Sequence, residues 1–194
     1  MEVSATLDRR IAKSRQAMKQ ALLELMEEKH FDQITVQDIA DKADISRKTF
    51  YLHYVDKYDL LDRVIEESLE ELRAFSESVC EMDWLPATEM CFQYLQNHYA
   101  FFSTMLTSKG APYFRARFLA FEFEAFQEEL RRTTGDRPGA LQDVMIPFVV
   151  HAYVGIVEWW LANGMPYPPK VMAEHVGTLL QALYETPMHR DKIG

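Results

Sequence analysis

The groups best suited to chemistry in this chain lie close together between Arg47 and His53: two cations, Arg47 and Lys48, two hydroxyls, Thr49 and Tyr51, and the imidazole of His53. Arg and Lys can donate to the O6 and N7 acceptors of guanine in a major groove, while hydroxyls and imidazole suit phosphate oxygens. At least one G·C pair in each half-site is therefore expected. Phe50 breaks the polar run with an apolar ring, which helical spacing turns to the opposite side. Leu52, on the outward arc, can meet a thymine methyl.

Such a surface needs a scaffold, and Thr35 to Lys57, reading TVQDIADKADISRKTFYLHYVDK, has the spacing of a helix-turn-helix. Two short helices that cross steeply require a small residue at the crossing, here Ala40, and apolar residues on the facing sides, here Val36, Ile39, Ala43, Ile45 and Phe50. Thr35 can cap the first helix, with Asp38 three residues on as its capping-box partner, and Ser46 can cap the second. Asp44 stands at the turn, where a left-handed backbone is needed. Asp is among the few non-glycine residues that visit that region, at a cost of about 1 kcal/mol.

A second group suggests ligand binding. His151 and Glu158 are the only His, Asp, Glu, Lys or Arg between Val144 and Leu161, and seven residues is two helical turns, so they share a face. With Phe101, Phe118, Phe121, Glu122 and Trp159 they could line an aromatic-walled site for a small apolar or weakly cationic effector. The plainer alternative is that they hydrogen-bond to neighbours or cross a subunit interface. His151 with Glu158, or Glu122 with Glu128, could be read as an acid/base pair. No nucleophile elbow, phosphate loop or metal-spaced cluster frames either pair, so neither catalysis nor a cofactor is expected.

The formal charge of −9 is unusual for a nucleic-acid-binding protein, but it is unevenly spread. Residues 1–60 hold ten Lys/Arg against eleven Asp/Glu, a net of −1, and residues 61–194 hold eleven against nineteen, a net of −8. Arg9, Arg10, Lys13, Arg15 and Lys19 cluster near the start, and Arg47, Lys48 and Lys57 around the second helix of the motif. A small basic face on an acidic body discourages indiscriminate binding. The two cysteines, Cys80 and Cys91, have no metal-ligand spacing and read as reduced thiols. The charges scattered through Leu7 to Lys29 exclude a secretory h-region there. Pro147, His151 and Glu158 make Val144–Leu161 a poor lipid-facing span, so a buried helix, no membrane and a cytoplasmic location are expected.

Helices are predicted over 8–29, through the two arms of the motif, and over 57–79, 87–107 with a break near Asn97, 113–133, 140–163 and 168–185. No strand-like alternation or repeat is present, so the fold class is all-α. A three-helix headpiece, residues 1–56, precedes a larger helical region, 57–194, whose first segment, 57–80, links the two. Leu141 to Leu161 is apolar nearly all round, and Val171 to Tyr184 carries Val171, Val176, Leu179, Leu180 and Leu183. One domain of this size cannot cover so much apolar surface, which suggests that a twin subunit does, with Gly155 and Gly177 allowing close approach.

The helix-turn-helix run resembles the T-x-x-D-I-A-x-x-A-G-V-S-x-x-T-F-Y-x-H-F-x-x-K-x-x-L-L signature of the TetR/AcrR family of transcriptional regulators. It stands here as Thr35, Asp38, Ile39, Ala40, Ala43, Asp44, Ile45, Ser46, Thr49, Phe50, Tyr51, His53, Tyr54, Lys57, Leu60 and Leu61. The departures are Asp44 for the usual Gly and Tyr54 for Phe. The resemblance implies phosphate contacts from Tyr51, His53 and Lys57, further contacts from Thr35 and Gln37, and base-edge contacts from Arg47, Lys48 and Thr49. It also implies a palindromic double-stranded operator, a homodimer formed through the last two long helices, and a repressor released by a small molecule. Tyr113-Phe114 and the segment Glu158 to Met165 resemble a subgroup that includes regulators of dihydroxyacetone kinase operons. Control by a partner protein is known in that subgroup, so a co-activator governed by another protein is the alternative.

Overall fold

A computed structural model describes residues 2–79, 81–107, 112–134 and 140–185, and the described residues form nine α-helices and one 3-10 turn, with no strand among them. The all-α expectation holds. In order they are α1 (Glu2–Glu28), the turn Phe31–Gln33, α2 (Val36–Lys42), α3 (Arg47–Tyr51), α4 (Lys57–Val79), α5 (Trp84–Asn97), α6 (Tyr99–Thr107), α7 (Pro112–Thr134), α8 (Ala140–Ala162) and α9 (Pro169–Glu185). Cys80, the Gly110-Ala111 step and the Gly135 to Gly139 stretch lie outside the described residues.

Two boundaries differ from the sequence reading. The first helix begins at Glu2 rather than near Asp8, since Glu2, Ala5 and Leu7 favour helix. The helix expected from residue 87 begins at Trp84, with Pro86 inside its first turn. There the missing N–H would have had no intrahelical partner. The break expected near Asn97 falls at His98, between α5 and α6.

By compactness the chain divides into one unit of Met1–Arg73 with Ala100–Arg117, and another of Ala74–Tyr99 with Phe118–Gly194. In the first, α1 buries Met18, Ala21, Leu22, Leu25 and Met26, and the helix-turn-helix buries Ile39, Ala40 and Phe50. The turn between α2 and α3 uses Asp44 at φ 53°, with Asp44 N–H donating to the Asp41 carbonyl at 3.2 Å and Ile45 N–H to the Ala40 carbonyl at 3.0 Å. That paired closure satisfies the last carbonyls of α2 and requires the left-handed residue. Phe101, Phe102 and Phe114 pack edge-on or tilted in the same unit.

The second unit is built on α8. One face of that helix buries Val149, Val150, Tyr153, Val154, Val157, Trp160 and Leu161. Phe92 of α5 meets Tyr153 and Trp160 edge-on at 6.1 and 5.3 Å. Asp143–Ala162 is long and apolar enough to cross a membrane by length and composition, yet here it serves as a core helix. It ends at Gly164, φ 68°, where Met165 N–H donates to the Trp160 carbonyl at 2.8 Å, and the Trp160 indole N–H donates to the Tyr167 carbonyl at 2.8 Å.

Helix α9 packs on α5, and Gly177 makes room for the Trp84 ring, with which any Cβ there would collide. That use differs from the subunit contact proposed for Gly177, and Val176, also offered to a partner, is buried within the unit.

Asp44→Gly should leave the headpiece as stable or more stable. Asp44→Val, which cannot enter the left-handed region cheaply, should destabilise it by about 1–2 kcal/mol in urea denaturation followed by circular dichroism. Equal loss in both variants would show that the turn does not depend on backbone conformation.

Candidate functional site

The local signals at the helix-turn-helix form as their types dictate. Thr35 Oγ accepts from Asp38 N–H at 3.1 Å and Asp38 Oδ2 accepts from Thr35 N–H at 2.8 Å, a complete capping box on α2. Ser46 Oγ accepts from Thr49 N–H at 3.0 Å and caps α3. Lys29 donates to Asp38 at 2.9 Å and, with the Thr35 bonds, lowers the Asp38 pKa to about 2. A depressed carboxyl contributes its stability above about pH 3.8 and loses it as the pH falls toward 2, so the cap is intact at neutral pH.

With Phe50 fully buried beneath it, α3 presents Arg47, Lys48, Tyr51 and Leu52 to solvent, Leu52 being 74% exposed. Arg47 stands 5.9 Å from the Tyr51 ring centre, one turn apart on the same face. Thr49 is half-buried and its hydroxyl lies 2.9 Å from Ser46 Oγ. Gln37 is exposed on α2 and donates to Asp41 at 2.6 Å. Thr35, Gln37, Arg47, Lys48, Thr49, Tyr51, Leu52 and His53 thus sit on one small motif, as the sequence placed them. His53 is half-buried, and burial first, then the charge of Arg15, lowers its pKa. A phosphate placed beside it would favour the charged imidazole again.

Lys57 is used differently from the phosphate contact the sequence offers. Its ammonium donates to the carbonyls of Phe31, Asp32 and Ile34 at 2.9, 3.0 and 2.9 Å, and it lies 4.7 Å from the Phe31 ring centre. An ammonium has three protons, and all three are engaged. Lys57 therefore ties the start of α4 to the turn that leads into α2.

Two further features escaped the sequence reading. Asp56 Oδ1 accepts from Tyr58 and Asp59 N–H at 2.8 and 2.9 Å, and Asp59 Oδ2 accepts from Val55 N–H at 2.9 Å. This second reciprocal cap starts α4, and the Asp-x-x-Asp spacing could have signalled it. Arg15, exposed on α1, acts on His53 and Tyr54, and no local pattern could have paired them.

Of the proposed effector residues, Phe101 belongs to the first unit and the other six belong to the second. Phe118 and Phe121 are buried there. His151 is exposed, its Nδ1 is 2.8 Å from the Pro147 carbonyl, and its ring lies edge-on to Phe123. In the single chain it is thus not the buried charge that an apolar helix implied. Trp159 is exposed and stacks on Tyr167, and Glu158 is half-buried. Glu122 stands apart from these: protein surrounds its carboxyl and desolvation raises its pKa to about 8. Its charge in turn acts on Cys91, whose thiol burial pushes up to about 12, and on Tyr153, raised chiefly by burial.

Comparison with known proteins fits this architecture. Residues 20–64 match the family described as bacterial regulatory proteins, tetR family, and residues 82–182 match a transcriptional regulator C-terminal region of the same family. The chain belongs to the TetR family of transcriptional regulators. That family is one of DNA-binding regulators and not of enzymes. An uncharacterized HTH-type transcriptional regulator of Bacillus subtilis, YxbF, is 31% identical over 120 residues, 58% of this chain. The match spans only 30% of that relative's length.

Among solved structures, a TetR regulator from Streptococcus agalactiae superposes with a TM-score of 0.72 at 24% identity, covering 91% of this chain and 98% of that one. The dihydroxyacetone kinase operon activator DhaS superposes at 0.58 and 18% identity, covering 88% and 95%. These likenesses establish a shared fold.

Lys57→Met should lower the thermal midpoint of the protein, with a loss of about 1–3 kcal/mol from three charge-assisted bonds. It should leave the salt slope of DNA binding unchanged. A slope reduced by about one, at unchanged stability, would instead make Lys57 a phosphate contact.

Proposed function

We propose that this TetR-family regulator is a cytoplasmic homodimeric repressor that reads a palindromic operator with α3 and leaves it when a small molecule occupies the second unit. The observation that carries the DNA reading is the pairing of a buried Phe50 with exposed Arg47, Lys48 and Tyr51 on a doubly capped motif. Arg47 and Lys48 meet base edges, Tyr51 and His53 meet phosphates, Thr35 and Gln37 add contacts from α2, and Leu52 meets a thymine methyl. Arg15, beside His53, is a further phosphate contact.

Support for the dimer comes from the outer face of α8, where Val144, Phe148, His151, Ala152 and Trp159 form one exposed stripe, with Phe148 59% and Val144 69% exposed. Gly155 lies on that stripe with open space above it, and Leu179 of α9 is also exposed. A twin subunit covering this face places the two α3 helices for two half-sites. The second reading, a co-activator controlled by a partner protein, draws on the name of DhaS as an operon activator.

Selection of bound duplexes from random DNA should return an imperfect palindrome. Arg47→Ala or Lys48→Ala should each weaken specific binding by about 1–3 kcal/mol and relax preference at one position of each half-site. No salt-sensitive preference for any duplex would defeat the reading, and release by a protein partner alone would favour the co-activator. Phe148→Glu should give a helical monomer in analytical ultracentrifugation with little operator affinity, and an unchanged dimer would place the interface elsewhere.

A further inference from the structure

Arg47 opens α3 and Tyr51 closes it, and the two side chains meet across the turn between them. The Arg47 guanidinium donates from Nη2 to the Tyr51 hydroxyl at 3.4 Å, and its central carbon is 5.9 Å from the ring centre. The ring is backed in turn by Phe50, whose centre is 5.6 Å away and whose plane is edge-on at 84°. Phe50 is fully buried and Tyr51 is 50% exposed. A chain of contact thus runs from the core of the headpiece, through an exposed tyrosine, to the cation at the head of α3.

The bond between them has a fixed sense. A guanidinium has no acceptor, so the Tyr51 oxygen accepts and its own proton is left to donate elsewhere. The bond uses one of five guanidinium N–H groups, which leaves enough of the fork for the O6 and N7 of a guanine. Among the described residues Arg47 has no carboxylate partner, whereas Lys29 and Lys42 of the same headpiece are paired with acids. A neutral ring therefore holds Arg47 without cancelling the charge that attracts DNA.

We propose that Tyr51 is a positioning residue for base readout: its ring and hydroxyl hold Arg47 toward a guanine while its own proton goes to a phosphate oxygen. One side chain then ties the backbone contact to the base contact. The proposal rests on the reading of α3 as the helix that enters the major groove. A free arginine loses rotamer freedom when it is fixed on a base, and one already placed loses less. Without the ring, the guanidinium swings to a neighbouring base or phosphate at little cost, and the guanine is read less sharply. A phosphate contact alone carries no sequence information.

The test uses the full chain and the duplex selected from random DNA, with each base pair of the half-sites replaced in turn and affinity read by fluorescence anisotropy at several salt concentrations. Arg47→Ala marks the base pair that Arg47 reads, as the position at which discrimination falls. Tyr51→Leu should cut discrimination at that same position by about 2- to 5-fold in each half-site. It should also weaken binding to every duplex by about 2- to 10-fold through the lost phosphate bond, with the salt slope unchanged because tyrosine carries no charge. Added to Arg47→Ala, Tyr51→Leu should cost no further discrimination. Tyr51→Phe keeps the ring and its contact with Phe50, so it should show the uniform loss in full and only part of the lost discrimination. If circular dichroism shows Tyr51→Leu to be disturbed in folding, Tyr51→Phe carries the comparison.

Uniform weakening by both Tyr51 variants with discrimination intact would make Tyr51 a phosphate contact only and overturn the proposal. Discrimination lost at a different base pair, or a further loss in the double variant, would overturn it as well, because Tyr51 would then act on the base by itself. If Arg47→Ala left discrimination intact at every position, the proposal would fail and the DNA reading would stand. An unsubstituted protein with no salt-sensitive preference for any duplex would defeat the DNA reading and the proposal with it.

Discussion

Helix α3 is five residues long, and an isolated helix shorter than about 12 residues is marginal in water, so the surface we propose for DNA exists only because Phe50 is buried beneath it. Everything in the headpiece answers to that constraint. Ala40 is small enough for the crossing, Asp44 turns left-handed to redirect the chain, and Ser46 satisfies the Thr49 N–H, one of those that so short a helix leaves open. The three bonds from the Lys57 ammonium then fix the turn at Phe31–Gln33 to the start of α4, so that α2 and α3 are held from both sides.

The same economy of charge explains how an acidic protein can hold a basic face. Lys29 and Lys42 are paired with Asp38, Glu24 and Glu28 inside the headpiece. These cations are thereby withdrawn from solvent interactions, whereas Arg47 and Lys48 stay on the exposed face of α3. Exposed pairs of this kind contribute little to stability, but they determine which positive charges remain available.

The second unit follows a different logic, in which apolar burial is nearly complete on the inner face of α8 and polar groups are few. Glu122 is the exception. An ionised carboxyl held away from water without a counter-ion costs several kcal/mol, and the protein meets this by keeping the group protonated.

The sequence by itself determined the parts of this protein that depend on neighbours within a few residues. The capping box at Thr35 and Asp38, the cap at Ser46, the left-handed Asp44, the inward Phe50 and the break near Asn97 are all interactions across one turn, where spacing alone fixes geometry. The tertiary structure decided what depends on partners far apart in the chain. Lys57 could be read as a phosphate ligand until the carbonyls of Phe31, Asp32 and Ile34 met it, and Gly177 as a subunit contact until Trp84 filled the space above it. Val176 and Leu179 are equally apolar in sequence, and only packing turned the first inward and left the second exposed. The grouping of Cys91, Glu122 and Tyr153 comes from three helices whose rotations are set by core packing, and helical periodicity gives each helix a buried face without saying which residues of other helices that face will meet.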